Sequence, residues 1–140
     1  RNLYINSTLK LNPNLSSKKD PELFFAGQIT GVEGYFESSC IGHLVARFVD
    51  SQVSGTPTSY PPRNSALGSI HFAITGEEKK HFQPTNINFG LFPPLKEKIR
   101  DKKLKKQKVI AMAQEAFNSW LGPKKKTPKT KINLHFQSKK

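Results

Sequence analysis

The chain has 140 residues, with 23 Lys and Arg against 10 Asp and Glu, a net charge of +13. That length suffices for one modest domain with a core, and the charge makes a polyanion the default partner, nucleic acid before a membrane surface. The single cysteine, Cys40, excludes an intrachain disulfide and a cysteine-based zinc site and fits a reducing compartment. No apolar run is long enough for a bilayer and no signal-peptide pattern opens the chain, so the sequence reads as a soluble, cytoplasmic protein.

The chain begins at Arg1 and is read as processed or as a piece of something longer. Residues 1–21 read as extended and loop-like, with a possible short strand at Leu3-Tyr4-Ile5 and turn chemistry at Asn12-Pro13-Asn14 and Lys18-Lys19-Asp20-Pro21. Leu23-Phe24-Phe25-Ala26 reads as a short buried strand. It breaks at Gly27, passes Gly31 and Gly34, and enters a helical pattern from about Gly31 to Ser51. Ile41, Leu44, Val45 and Phe48 give that helix an i, i+3, i+4, i+7 stripe. Gly34 and Gly42 inside it would each cost about 1 kcal/mol against alanine, which asks for a packing or ligand reason.

Residues 52–65, with Pro57, Pro61 and Pro62, form a loop, and 66–75 suit a short helix better than a strand. The polar and aromatic segment from Lys79 to Pro94 reads as an ordered loop. A last helix is expected from about Leu95 to Leu121, stopped by Gly122-Pro123, with Ile110, Ala113, Phe117, Trp120 and Leu121 as its apolar stripe. Its first half carries Lys96, Lys98, Arg100, Lys102, Lys103, Lys105, Lys106 and Lys108. The tail from Lys124 is lysine-rich and reads as mobile, with Ile132, Leu134 and Phe136 able to add a strand. The expected division is 1–95 for the cofactor part, 96–122 for a basic amphipathic helix and 123–140 for the tail.

Among candidate chemistries, metal binding is disfavoured because His43, His71, His81 and His135 are scattered. Ser38 and Ser39 lie within a helix and not on a nucleophile elbow. No Gly-Lys-Ser or Gly-Lys-Thr follows the glycines, so a phosphate-binding P-loop is excluded. Cys40 sits among small residues and fills core space; nothing nearby lowers its pKa enough for a nucleophile. What remains is the turn from Gly27 to Gly34. A strand, a glycine turn and a helix N-terminus let backbone N–H groups approach a phosphate or a flavin edge, and a Cβ at the glycines would hold the ligand off. Gln28 and Thr30 offer side-chain hydrogen bonds there, while Glu33 and Glu37 complement the helix dipole or contact ligand. The lysine-rich helix is either a solvated face or a sequence-independent phosphate contact.

The run from Leu23 to Tyr35 resembles the flavin- and folate-dependent tRNA uracil-5-methyltransferases (TrmFO). So do Tyr4-Ile5-Asn6-Ser7, Ala66-Leu67-Gly68-Ser69, His81-Phe82-Gln83-Pro84, Asn86 to Leu91, and Lys98 to Lys103. The resemblance covers residue 2 to about 121. The sister family that modifies wobble uridines (GidA/MnmG) shares the Ala-Gly-Gln turn but lacks the His81–Leu91 segment, which decides for the folate branch. The resemblance implies an α/β fold: a C-terminal segment of a FAD-binding Rossmann-like domain followed by a basic C-terminal helix. It implies FAD reduced by NAD(P)H, methylenetetrahydrofolate as one-carbon donor, and C5 of a uridine in tRNA, or in ribosomal RNA for some relatives, as acceptor.

Carried onto this chain, Gly27, Gln28, Thr30, Gly31, Val32, Glu33 and Gly34 would line FAD. His81, Gln83 and Asn86 are candidates for the folate pocket, and Lys98, Arg100, Lys102 and Lys103 for RNA phosphate. The family's FAD fingerprint and active cysteines lie upstream of Arg1, so Cys40 inherits no catalytic role and the chain is expected to need the N-terminal remainder of the enzyme for activity. Thr85 stands where a methionine is common, and His43 to Asp50 departs from the usual Gly/Ala-rich helix end. The rival readings are a wobble-uridine-modifying flavoprotein fragment, a non-enzymatic RNA-binding module, and an inactive truncated product.

Overall fold

The computed structural model describes residues 3–122. Four α-helices run in the order α1 (Ser7–Lys10), α2 (Tyr35–Ser54), α3 (Ala66–Thr75) and α4 (Lys102–Leu121), with single 3-10 turns at Gly27–Thr30 and Phe89–Leu91. Among these residues there is no β-strand, only isolated bridges: Leu11 with Ser17 and Ser16 with Phe24, both antiparallel, and Val32 with Thr85, parallel. The α/β expectation is therefore met by its helices and not by its strands, and the lysine tail lies outside the described residues.

The run Leu23-Phe24-Phe25-Ala26 is extended but not a strand in a sheet. Ser17 N–H donates to Leu23 O at 2.8 Å and Phe25 N–H to Leu15 O at 3.0 Å, and Gly27 then turns the chain. Prolines at 13 and 21 leave no room for a longer ladder, since each removes an N–H and fixes φ. Leu15 sits at φ 64° yet is wholly buried. Left-handed backbone costs a Leu about 1–2 kcal/mol, a sum that burial of the side chain, about 1.5–3 kcal/mol, offsets. Tyr4 and Ile5 are also not a strand; α1 follows immediately, and Ile5 N–H bonds Ile29 O at 2.9 Å.

Helix α2 starts four residues later than the sequence pattern suggests, with Gly34 as its N-cap at φ 105°. Of the two glycines expected within this helix, only Gly42 lies inside it. The apolar stripe is as expected: Ile41, Leu44, Val45 and Phe48 are the buried residues of α2. At its other end Gly55 takes φ 66°, with Gly55 N–H on Gln52 O and Thr56 N–H on Ser51 O, the paired bonds of a Schellman cap.

Helix α3 matches the expected 66–75 span. Ser65 caps it, accepting from Gly68 N–H at 2.9 Å. Gly68, Ser69, Ile70, His71, Ala73 and Ile74 are all buried, so α3 is the central helix, enclosed by α1, α2 and α4. A Cβ on Gly68 would collide with Pro62 O, so the loop can cross α3 closely only where the helix has no side chain. The core joins Leu11, Leu15, Val32, Phe82 and the α2 stripe to Ile70 and Ile74 of α3.

Helix α4 begins at Lys102, not near Leu95, because Asp101 caps it: one carboxylate oxygen accepts from Lys103 N–H at 2.7 Å and Leu104 N–H at 3.0 Å. Lys96, Lys98 and Arg100 therefore precede the helix. Val109 and Ala113 are its buried residues, whereas Ile110 and Leu121, expected in the apolar stripe, are about half exposed. Trp120 anchors the far end, donating from Nε1 to Ser59 Oγ at 2.8 Å with the Arg47 guanidinium 4.8 Å above its ring.

Candidate functional site: the glycine turn and the 81–91 segment

The 3-10 turn at Gly27–Thr30 closes on itself and on α1. Thr30 Oγ1 donates to Gly27 O at 2.7 Å, and Thr30 O accepts from Ser7 Oγ at 2.6 Å. Thr30 and Val32 have no exposed surface, so their side chains belong to the core. Gln28, Glu33 and Gly34 are exposed and face outward. Gly27, Gly31 and Gly34 all have positive φ (77°, 87° and 105°), a region L-residues rarely occupy.

The reason for Gly31 differs from the one its position in a ligand-facing turn suggests. A Cβ there would enter the ring of Phe82, so its glycine serves the packing of the chain against itself. At Gly27 a Cβ would meet only ordinary contacts, 3.8 Å from Ser38, and at Gly34 it would run into the Glu37 carboxylate, the end of a flexible side chain. The requirement at these two is backbone conformation.

The structure brings the 81–91 segment directly against this turn, a juxtaposition the sequence pattern did not indicate. Thr85 N–H donates to Gly31 O at 3.1 Å, and Glu33 N–H donates to Thr85 O at 2.9 Å. Glu37 accepts from Ile87 N–H at 3.1 Å, fixing the same segment to the first turn of α2. Phe82 is buried against Gly31 while His81, Gln83 and Asn86 point outward and are exposed. Glu37 is thus a structural clamp.

At the head of α2, the amides of Tyr35, Phe36 and Glu37 find no acceptor among the described residues, and Gly34 provides no side-chain cap. Three open N–H groups at the positive end of a 20-residue helix form an anion- or carbonyl-seeking surface beside Gly34. Tyr35 is 97% exposed there and Phe36 74%. Sequence reading passed over both as helix residues; an aromatic pair falling before the first buried position, Ile41, was the signal available.

Lys98, Arg100, Lys102 and Lys103 are all exposed and lie together around the start of α4, the first two in irregular chain and the last two in its first turn. Among the described residues, the only paired lysine of α4 is Lys108, on Glu97 at 2.6 Å. Cys40 is partly buried in the wall of an apolar cavity of about 420 Å³ between α2, α3 and α4, with Leu67, Ile70, Ile110 and Phe117. Burial, and secondarily the Glu37 carboxylate, push its thiol above the ordinary range, the opposite of what a nucleophile needs. Among the described residues no three His, Cys, Asp or Glu side chains converge as metal ligands, and no helix is long and apolar enough to cross a membrane.

Comparison with known proteins agrees with the motifs. Residues 1–57 match the family model described as glucose inhibited division protein A. Over 121 residues, 86% of its length, the chain is 59% identical to the methylenetetrahydrofolate–tRNA-(uracil-5-)-methyltransferase TrmFO of Bdellovibrio bacteriovorus, covering 28% of that protein. It is 49% identical over 118 residues to the TrmFO of Enterococcus faecalis, 84% of this chain and 26% of that one. With the TrmFO of Pelotomaculum thermopropionicum it shares 47% identity over 118 residues, 84% of this chain and 27% of that protein. The resemblance read from Leu23–Tyr35 and His81–Leu91 is borne out: the chain is similar to TrmFO proteins over most of its own length and spans a little over a quarter of the length of these relatives.

Proposed function

We propose that the protein containing this chain is a FAD-dependent methyltransferase that takes a one-carbon unit from methylenetetrahydrofolate and places it on C5 of a uridine in tRNA, with NAD(P)H as reductant. The chain would be the C-terminal part of a Rossmann-like flavin domain plus a basic helix, completed by the N-terminal remainder of the enzyme. Bound FAD would supply the redox chemistry.

The observation that carries the reading is the uncapped head of α2 behind the glycine turn. Its three open amides suit the carbonyl edge of an isoalloxazine, and the residues present fit that group. Gly27 would contribute backbone, while Thr30, Gly31 and Val32, buried as whole residues, would support the turn from behind. Gln28 and Glu33 would contribute side chains, and Gly34, with no side chain of its own, stands beside the Glu37 carboxylate. His81, Gln83 and Asn86 project from the segment bonded to the turn, so a folate held by them would lie beside the same edge. Lys98, Arg100, Lys102 and Lys103 would take RNA phosphates.

The test is the full-length protein with an unmodified tRNA transcript, methylenetetrahydrofolate and NAD(P)H, read as 5-methyluridine by mass spectrometry of the digested RNA. Product is expected, with flavin colour in the purified protein. Folded, flavin-loaded protein that makes no 5-methyluridine overturns the proposal.

A further inference from the structure

By the 3.6-residue period, Lys102, Lys105 and Lys106 fall on the same stripe of α4 as Val109, Ala113 and Trp120. The second half of that stripe packs on the body, where Val109 and Ala113 are buried. Its first half carries lysines toward the same side, and Lys106 reaches the 3-10 turn at Phe89–Leu91, its Nζ 5.4 Å from the centre of the Phe89 ring. Phe89 is 45% exposed. Its backbone is held by Asn88, whose side chain accepts from Gly90 N–H at 2.9 Å and donates to Asn86 O at 3.1 Å. A half-exposed aromatic ring on a hydrogen-bonded turn thus lies beside Lys106, on the stripe of α4 that also carries Lys102 and Lys105, and these lysines fall toward the positive end of a helix, where each costs some tenths of a kcal/mol in the absence of an anion.

We propose that this surface seats an unpaired base of the RNA substrate, stacked on Phe89, with Lys102, Lys105 and Lys106 on the adjoining phosphates. The inference rests on the RNA-modifying reading above and adds a mode of recognition to it. An aromatic face flanked by cations is how single-stranded nucleic acid is held without sequence readout. An acidic protein segment would answer the lysines but would leave the ring idle. The seat is also close to the chemistry. Thr85 is bonded to the glycine turn, and four residues of chain reach at most about 14 Å, so a base on Phe89 would belong to a nucleotide near the reacting uridine.

The experiment uses the full-length protein with two probes, a single-stranded oligouridylate carrying one 2-aminopurine and an RNA duplex of equal length. Phe89→Leu is expected to weaken the single-stranded probe by about ten-fold, to abolish stacking-induced quenching of 2-aminopurine, and to leave the salt slope and duplex binding unchanged. Phe89→Trp is expected to restore affinity. The triple variant K102A/K105A/K106A is expected to flatten the salt dependence by about two units of slope for a single strand. If Phe89→Leu binds the single strand as tightly as wild type while the lysine variant weakens it, the stacking seat is wrong and the phosphate interface stands. If neither changes binding, this surface meets something other than RNA and the proposal falls. If Phe89→Leu weakens both probes alike and Trp does not rescue, the ring is only a structural support and the proposal likewise falls.

Discussion

The fit of Phe82 beneath Gly31 can be isolated by comparing two glycines of the same backbone conformation. Gly31 (φ 87°, ψ 23°) and Gly55 (φ 66°, ψ 24°) are both left-handed. A Cβ on Gly55 meets nothing within 4 Å, whereas one on Gly31 enters the Phe82 ring. Gly55→Ala should therefore cost only the conformational term, about 1 kcal/mol. Gly31→Ala should cost that plus overpacking of a core ring only 6% exposed, about 1–3 kcal/mol more, for a total of about 2–4 kcal/mol. This is a large part of a typical domain's stability of about 5–15 kcal/mol. Equilibrium urea unfolding of the full-length protein gives both values, and amide exchange at Glu33 and Thr85, which bond across this contact, reports whether the turn opens locally. Phe82→Leu should partly rescue Gly31→Ala, with a coupling of about 1–3 kcal/mol in the double-mutant cycle. Equal costs at Gly31 and Gly55, or additive effects of G31A and F82L, would refute the reasoning.

Two other glycines should respond in opposite directions: Gly68→Ala drives a Cβ onto Pro62 O and should cost more than about 3 kcal/mol by thermal or urea unfolding, while Gly42→Ala, with open space at mid-helix, should stabilise by about 0.5–1 kcal/mol. His71 is buried against Phe48 and Tyr60 with Nε2 2.6 Å from Pro13 O, and burial lowers its pKa below 6.5 despite that hydrogen bond. The unfolded chain then takes up the proton first, so stability should be full above pH 6.5 and fall as pH drops below it, and His71→Gln should remove that part of the pH dependence in urea titrations. Cys40, with its thiol pushed up by burial, should alkylate with iodoacetamide more slowly at neutral pH than a free cysteine, and Cys40→Ser should leave intact the methyl transfer proposed for the full-length protein.

The helices were legible where one residue property set them. The stripes of α2 and α3 both follow from the period of their apolar residues. The start of α4 was misplaced by periodic charge, although Asp101 carried the capping signal that decides it. The strand at 23–26 failed for a different reason. An apolar run states that a segment is buried, not what pairs with it, and here the partner is two residues of the chain around Ser16. Nothing local could reveal that Thr85 bonds the glycine turn, because that pairing is set by Phe82 filling the space under Gly31, more than 50 residues away.

That long-range fit changes what the glycine motif means. The demand for glycine at 31 is exhausted by Phe82, and at 27 and 34 by positive φ, so the glycines do not by themselves specify a ligand. What they do is place the α2 N-terminus outward with Tyr35, Phe36 and Glu37 amides unanswered, while Glu37 clamps the 81–91 segment alongside. The turn, His81, Gln83, Asn86 and Phe89 are in consequence one mechanically linked unit. Under the proposed function, a substitution that loosens Phe82 should then disturb the proposed flavin, folate and RNA contacts together, whereas loss of a lysine before or within α4 should touch the proposed RNA contact alone.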